Sequence, residues 1–184
     1  MNYFKVYGNF LKDFSKLQKP IKVVFDCSNG SAGRILKNFL PHPNLKTILI
    51  NDLPDGHFPA HDPNPLARGA VKQLSATVIK EKADLGVIFD EDGDRVIFID
   101  NLGRLFPSYL AARILFLETG GPVVFDSLIS QSLKISGFLY ENANISKVGS
   151  IFMKKKIFDK KARFGAEYSG HYYFNIRGCL SRTL

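Results

Sequence analysis

The sequence lacks any long apolar segment, and this absence excludes whole classes of protein. No hydrophobic run in the 184-residue chain approaches the roughly 18 residues that a membrane-spanning helix needs. The first residues also lack the charged and then apolar pattern of a secretory signal peptide. With 45% hydrophobic and 23% charged residues, the composition is that of a globular protein of one or two domains. We therefore expect a cytoplasmic protein without a membrane partner.

Cysteine is also scarce, and the two thiols, Cys27 and Cys179, are far apart. They lack the paired spacing of a metal site, so we assign them no chemistry. Basic residues are in excess, and the net charge of +8 is of the kind found in nucleic-acid-binding proteins. The lysines are scattered, however, and the acidic loop described next would repel a polyanion. The sequence therefore favours a solvated basic surface and no nucleic-acid partner.

The most informative segment is acidic and lies between two apolar runs. Asp90, Asp92 and Asp94 alternate in the sequence Asp-Glu-Asp-Gly-Asp, between the β-branched and aromatic segments 85–89 and 96–100. Those flanks predict two strands joined by a turn. Three carboxylates that converge in a turn repel one another unless a hard divalent cation lies among their oxygens. The spacing therefore predicts a Mg²⁺ site on these three aspartates, and the alternative is a solvated acidic turn.

Two other kinds of acidic loop compete for the same residues. The calcium loop of an EF-hand requires Gly at its sixth position and Glu at its twelfth, whereas Gly93 is fourth here and Asn101 is twelfth. We reject that alternative. An aspartyl-phosphatase of the haloacid dehalogenase type would use Asp90 as its nucleophile and Asp92 as its acid or base. That motif requires a small hydroxylic residue after the glycine, and the sequence has Asp94 there.

Hydrophobic periodicity predicts two successive units that alternate strands with helices. The predicted strands are short β-branched runs at 21–25, 47–50, 85–89, 96–100, 123–126 and 145–148. The predicted helices show apolar residues at helical spacing and span 4–17, 34–40, 66–82, 107–117, 130–140 and 151–161. A turn at 101–103 separates the two halves, so we expect an α/β fold with two β-α-β-type mixed-sheet domains, 1–103 and 104–184. The acidic turn then lies at a strand's carboxyl end, where open α/β sheets bind ligands.

A second polar segment, 165–171, alternates functional side chains. Glu167, Ser169 and His171 occupy every second position, so in an extended conformation all three point to one side. A carboxylate, a hydroxyl and an imidazole suit adjacent sugar hydroxyls, although a polar strand face gives the same pattern. Three consecutive lysines at 154–156 spread around a predicted helix, which favours a solvated face over a phosphate clamp.

These motifs together resemble the α-D-phosphohexomutases, the phosphoglucomutase and phosphomannomutase family. FDEDGDRV at 89–96 is similar to the metal loop of that family, and GAEYSGHYYF at 165–174 is similar to its sugar loop. Three further segments follow in the family's order: VVFDCSNGSAG at 23–33, GHFPAHDPNPL at 56–66 and VGSIFMKKKI at 148–157. The resemblance covers nearly the whole chain but only the second and third of the family's four domains.

The resemblance implies an isomerase that interconverts hexose 1-phosphates and hexose 6-phosphates, of glucose or mannose. The reaction would proceed through an enzyme phosphoserine and a hexose 1,6-bisphosphate. The three aspartates would hold Mg²⁺ beside the phosphoserine, and Arg95 would be the catalytic residue that binds the same phosphoryl group. Glu167, Ser169 and His171 would bind the sugar of the substrate.

Two motifs of the family are absent from these 184 residues. No Ser-His-Asn-Pro segment is present to carry the phosphoserine, and no Arg-x-Ser-x-Thr-Glu-Pro segment to hold the substrate phosphate. Leu128 and Ser150 also stand where the family commonly has a lysine and a histidine. We therefore expect a middle piece of the enzyme that is inactive alone and whose missing domains act in cis or in trans. The alternative is a non-catalytic module that binds metal or phosphosugar with a partner chain.

Overall fold

The structure, a computed structural model, describes residues 3–12, 17–40, 42–138, 140, 143–176 and 179–182. The chain divides into two units, one of residues 1–93 and 97–105 and the other of residues 94–96 and 106–184. Within these described residues, two separate five-stranded sheets form, each with helices around it. The predicted α/β fold class is therefore confirmed.

The first sheet presents the ends of parallel strands at one edge. Its strands are β1 (Ile21–Asp26), β2 (Leu45–Ile50), β3 (Leu85–Phe89), β4 (Val96–Asp100) and β5 (Leu105–Phe106), and its helices are α1 (Tyr3–Lys12), α2 (Ala32–Phe39) and α3 (Lys72–Glu81). The strand order is β2-β1-β3-β4-β5. Because β1 pairs in parallel with both β2 and β3, the carboxyl ends of these three strands meet at the same edge. Ligands of open α/β sheets bind at such an edge.

The helix predicted at 66–82 begins only at Lys72. Tight turns occupy the residues before it, since the Ala67 amide donates to the Asn64 carbonyl and the Ala70 amide to the Ala67 carbonyl. Gly69 then adopts a φ of +89°, a left-handed conformation that a continuous right-handed helix cannot contain. The apolar spacing was correct for α3 and was wrongly extended through this turn.

The second sheet repeats part of the first and adds an antiparallel half. Its strands are β6 (Val123–Asp126), β7 (Ala143–Ser146), β8 (Phe164–Ala166), β9 (Tyr172–Ile176) and β10 (Cys179–Arg182), and its helices are α4 (Ser108–Thr119), α5 (Ser127–Ile135) and α6 (Ser150–Asp159). The strand order is β10-β9-β8-β6-β7. β6 pairs in parallel with β7 and β8, whereas β9 is antiparallel to β8 and β10. The ends of β6 and β8 therefore meet at one edge, as those of β1 and β3 do.

One helix and one strand of the second unit, α5 and β7, begin earlier than the sequence predicts. α5 starts at Ser127 rather than 130, because the Oδ1 atom of Asp126 accepts a hydrogen bond from the Ile129 amide at 2.7 Å and caps the helix. β7 spans 143–146 rather than 145–148, and Gly149, with a φ of +118°, precedes α6. Of the predicted helices, residues 13–16 and 139 lie outside the described part of the chain.

Helices α3 and α6 each bury one face against their sheet. The buried cluster of the first unit joins α3 to the strands through Val24, Leu74, Val78, Ala83, Ile88, Ile97 and Ile99. The corresponding cluster of the second unit contains Val124, Met153, Ile157, Ala162 and Tyr173. Among the described residues, no helix combines the length and apolar character that crossing a membrane requires.

Candidate active site

The aspartate loop, residues 90–94, follows β3 directly and leads towards β4. Asp90 is 1% exposed, whereas Asp92 is exposed and Asp94 is half-buried. The three carboxylates each offer one oxygen such that all three oxygens lie within 4.8 Å of one another. Gly93 supplies the φ of +77° that closes the turn. Hard carboxylate oxygens in this arrangement suit Mg²⁺, so the donor set fits the metal that the sequence predicts.

The aspartate loop is held by the glycine turn, residues 27–31, which connects β1 to α2. The Ser28 hydroxyl donates a hydrogen bond to the Phe89 carbonyl oxygen at 2.5 Å. The Ser31 amide donates to the Glu91 carbonyl oxygen at 2.9 Å. The backbone is therefore fixed on both sides of the first aspartate.

Gly30, within the glycine turn, lies so close to the aspartate loop that no side chain fits. A Cβ atom at this position would lie 2.8 Å from the Glu91 Cα atom, and the backbone would have to move. We expect Gly30→Ala to lower the free energy of unfolding of the first unit by about 1 to 3 kcal/mol and to weaken Mg²⁺ binding. Gly56→Ala is the matched control, because a Cβ there meets no atom within 4 Å. Equal thermal stabilities for the two variants would contradict this expectation.

Residues 167–171 form a tight hairpin turn between β8 and β9, not the extended strand that their alternation suggests. The Glu167 amide donates to the His171 carbonyl at 2.9 Å, and the Gly170 amide donates to the Glu167 carbonyl at 3.0 Å. Gly170 has a φ of +95°, which a regular strand cannot contain. The turn nevertheless brings the three side chains together, since His171 Nδ1 lies 2.8 Å from Ser169 Oγ and 3.3 Å from Glu167 Oε2.

Glu167 is 2% exposed, and both of its carboxylate oxygens accept hydrogen bonds. Oε1 accepts from the Gly149 amide at 2.7 Å, and Oε2 accepts from the Tyr173 hydroxyl at 2.6 Å. Burial alone would raise the pKa of this carboxyl group, but hydrogen bonds from His171, Tyr173 and Gly149 outweigh burial and hold the pKa below its ordinary value. Glu167 is therefore an ionised and firmly oriented acceptor.

His171 connects the hairpin turn with the last aspartate of the aspartate loop. Its Nε2 atom lies 3.0 Å from Asp94 Oδ1, and Asp94 groups with the second unit. In the same unit, the Val96 amide donates to the Gly170 carbonyl at 2.9 Å. Arg95, between these two contacts, is half-buried. His171 is thus the common neighbour of one predicted metal ligand and of the predicted sugar-binding side chains.

Sequence reasoning missed two buried aspartates, Asp26 and Asp126, at the ends of β1 and β6. Both are fully buried, and each ends a Val-Val-Phe-Asp segment. Besides capping α5, Asp126 accepts a hydrogen bond from the Tyr168 amide at 2.9 Å through Oδ2 and so holds the hairpin turn. Burial raises the pKa of Asp126, against the hydrogen bonds that it accepts. Both residues could have been predicted from the sequence, because the same apolar segment, Val-Val-Phe, precedes an aspartate in each case.

Leu128, which departs from the phosphohexomutase pattern, lies on α5. Ser150, the second departure, and the three consecutive lysines lie on α6. Leu128 is 46% exposed in the first turn of α5, and Ser150 is the half-buried first residue of α6. Lys154 and Lys155 are exposed, whereas Lys156 is half-buried, so the lysine run faces solvent only in part. An apolar side chain at position 128 offers no donor to a sugar or phosphate oxygen.

Two family models match the chain one after the other. The model described as phosphoglucomutase/phosphomannomutase, alpha/beta/alpha domain II, matches residues 2–103. The model described as alpha/beta/alpha domain III of the same family matches residues 109–181. The matches follow the order of the two family domains that the sequence motifs resemble.

Curated relatives include mutases from bacteria and archaea. A phosphomannomutase/phosphoglucomutase of Pseudomonas aeruginosa is 35% identical over 178 residues, which is 93% of this chain and 38% of the relative. A phosphomannomutase of Methanocaldococcus jannaschii is 33% identical over 190 residues, with 100% of this chain and 42% of the relative covered. The chain therefore spans about four-tenths of the length of these relatives.

Solved structures show the same fold. The crystal structure of a phosphoglucomutase/phosphomannomutase family protein from Burkholderia thailandensis matches with a TM-score of 0.74 and 25% identity, over 93% of this chain and 39% of that chain. The Aspergillus fumigatus N-acetylphosphoglucosamine mutase, in complex with GlcNAc-6P and magnesium, matches with a TM-score of 0.59 and 18% identity, over 93% and 39%. At that identity the second likeness concerns the fold alone.

Proposed function

This chain belongs to the phosphoglucomutase/phosphomannomutase family, and from that premise we propose that it supplies the metal loop and the sugar loop of a phosphohexomutase. Such an enzyme interconverts hexose 1-phosphates and hexose 6-phosphates of glucose or mannose. Residues 1–103 would be the metal-loop domain and residues 104–184 the sugar-loop domain. The two successive family matches, to residues 2–103 and 109–181, support a boundary in this region. The first sheet extends past residue 103, because it includes β5.

The observation that carries the proposal is the convergence of three carboxylates in the aspartate loop, with oxygens within 4.8 Å. A solvated acidic turn would expose its charges, whereas Asp90 is buried beside two other carboxylates. Carboxylate oxygens gathered at this spacing are the ligands that Mg²⁺ prefers in proteins. The position of the loop, after a parallel strand at the ligand-binding edge of the sheet, fits the same interpretation.

The aspartate loop and Arg95 would act on the phosphoryl group. Asp90, Asp92 and Asp94 would hold Mg²⁺, which supplies positive charge to the phosphoryl oxygens during transfer. Arg95 would offer the same group the planar, forked donors of its guanidinium. Oriented charges of this kind provide most of the catalysis in phosphoryl transfer, because the protein itself forms few new bonds.

The hairpin turn would bind the sugar. The Glu167 carboxylate has about four acceptor positions, and the Gly149 amide, the Tyr173 hydroxyl and the His171 ring use three of them. The remaining position can accept a hydrogen bond from a sugar hydroxyl. Ser169 and His171 are half-buried and add a hydroxyl and an imidazole beside that carboxylate. The hexose 1,6-bisphosphate intermediate would contact the same side chains.

The phosphoryl donor would come from other domains, in cis or in trans. These 184 residues contain neither the phosphoserine motif nor the phosphate-binding motif of the family. The present chain would thus bind metal and part of the sugar without completing the reaction. Activity belongs to an assembly in which the other two domains are present.

Calorimetric titration with Mg²⁺ tests the metal site. We expect weak binding by the parent chain and a loss of affinity of at least about tenfold in Asp92→Asn, since even partners outside the first ligand sphere cause losses of that size. Glu91→Gln is the matched control: it removes an exposed carboxylate from the same loop that is not among the three converging groups. Equal Mg²⁺ binding by Asp92→Asn and the parent would refute the assignment.

A further inference from the structure

Asp26 and His61 form a buried polar pair next to the glycine turn. Asp26 is fully buried at the end of β1, and its Oδ2 atom lies 3.1 Å from Nε2 of His61, whose side chain is 8% exposed. The other ring nitrogen of His61, Nδ1, lies 2.8 Å from the Asp62 carbonyl oxygen. Both ring nitrogens of His61 therefore lie within hydrogen-bond distance of an oxygen atom. The Asp26 carboxylate and the His61 ring form a buried polar pair that joins two segments 35 residues apart.

The second oxygen of Asp26 holds the glycine turn in an unusual conformation. Oδ1 accepts hydrogen bonds from the Ser28 amide at 3.0 Å and from the Asn51 side chain at 2.9 Å. Ser28 and Asn29 have φ values of +49° and +53°, in the left-handed region that residues other than glycine seldom adopt. Such a conformation persists only where the surrounding structure imposes it. The Asp26 carboxylate is one of the groups that impose it.

The loop that carries His61 constrains the same turn from its other side. The Asn29 amide donates to the Asn51 carbonyl at 2.8 Å, and the Asp55 amide donates to the Asn29 carbonyl at 2.9 Å. The Asn29 side chain also donates to the Leu53 carbonyl at 3.0 Å. His61 contacts Asp26 at the end of β1 and so connects this loop to the sheet. The same loop is hydrogen-bonded to Asn29 in the glycine turn.

We propose that Asp26 and His61 are positioning residues for the metal site. They fix the glycine turn, and the Ser28 hydroxyl then fixes the Phe89 carbonyl, immediately before Asp90. The pair thereby sets the backbone position of the most buried of the three proposed ligands. The inference rests on the proposed function, because it takes the aspartate loop to be a Mg²⁺ site. Neither positioning residue is itself one of the three ligands.

Substitution of His61 tests the inference by Mg²⁺ calorimetry on the full 184-residue chain. His61→Leu removes both ring nitrogens, and we expect the dissociation constant to rise roughly tenfold. His61→Gln keeps an amide donor for Asp26 and should remain within roughly threefold of the parent. His57→Leu is the matched control, the same change in the same loop at a side chain that is 96% exposed. Each variant is titrated below its own melting temperature, so that a loss of Mg²⁺ affinity is not caused by a loss of folded protein.

If His61→Leu does not fold, Ser28→Gly tests whether the glycine turn positions the aspartate loop. This change removes the hydroxyl that contacts Phe89, and glycine adopts the required positive φ without strain. We again expect Mg²⁺ affinity to fall roughly tenfold. If Ser28→Gly and folded His61→Leu bind Mg²⁺ as tightly as the parent while Asp92→Asn does not, the inference is wrong and the metal site stands. If Asp92→Asn also binds like the parent, the metal site itself is wrong.

Discussion

The isolated 184-residue chain will not interconvert glucose 1-phosphate and glucose 6-phosphate, even when Mg²⁺ and glucose 1,6-bisphosphate are supplied. Transfer requires a phosphoryl donor in line with the sugar oxygen, and correct placement of reacting groups contributes about 7 to 11 kcal/mol of a barrier. The chain contains neither the donor serine motif nor the remote phosphate-binding motif of the family. A bisphosphate that diffuses freely cannot replace the lost orientation.

A coupled assay for glucose 6-phosphate formation measures this result. Adding the family's other two domains, on one chain or in trans, should restore turnover. The restored turnover should be lost in Asp92→Asn and in Arg95→Ala, and it should be retained in Glu91→Gln, whose carboxylate lies outside the converging set. Clear metal-dependent turnover by the isolated chain would show that another group serves as the phosphoryl donor.

The ends of the buried strands β3, β4 and β6 could be predicted from the sequence more closely than the ends of the helices, whereas β5, β8, β9 and β10 were not among the predicted strands. Runs such as 85–89 and 123–126 are buried on both faces, and continuous β-branched and aromatic residues identify such strands directly. Helix ends depend on single backbone conformations and caps that periodicity does not record. The left-handed Gly69 delays α3, and the Asp126 cap starts α5 early.

The aspartate loop could be found in the sequence because its proposed ligands are nearly contiguous. The residues that support the loops, Asp26 and Asp126, could not be found in this way, because their hydrogen-bond partners are distant along the chain. The Asp26 carboxylate contacts His61, 35 residues away, and the Asp126 carboxylate contacts the Tyr168 amide, 42 residues away. Contacts of this kind follow from the parallel strand order, which fixes which loops meet, and no local pattern encodes them.

The two units use a buried aspartate in the same structural position. In each, the aspartate ends the strand at the centre of the parallel half of the sheet, β1 or β6, and binds backbone amides of neighbouring loops. Asp26 holds Ser28, and Asp126 holds Tyr168. A carboxylate at this point satisfies amides that the strand ends leave unpaired. In each unit, this aspartate fixes a loop at the edge of the sheet where the parallel strands end.

Replacing Glu167 by alanine will lower the free energy of unfolding of the second unit by about 3 to 5 kcal/mol. The change leaves the Gly149 amide and the buried Tyr173 hydroxyl without the acceptors that they have now, and it removes a carboxylate beside the His171 ring. Glu118→Ala, at an exposed glutamate of the same unit, is the matched control and should change stability little. Urea denaturation measures both variants, and equal midpoints would show that the Glu167 contacts contribute nothing to stability.

We expect the pH dependence of stability to identify the ionised form of Glu167 as the stabilising one. Because its folded pKa lies below its ordinary value of 4.5, the carboxylate stabilises the fold above that pH, and the stabilisation is lost as pH falls through the folded pKa. The raised pKa of Asp126 acts in the opposite direction and favours the fold on the acid side. Glu167→Gln removes the first contribution and also reduces the second, because the Glu167 charge is one of the causes that raise the Asp126 pKa. We expect its deficit relative to the parent to be larger near neutral pH than at about pH 3. A deficit that is the same at both pH values would mean that Glu167 stabilises the turn by shape and not by charge.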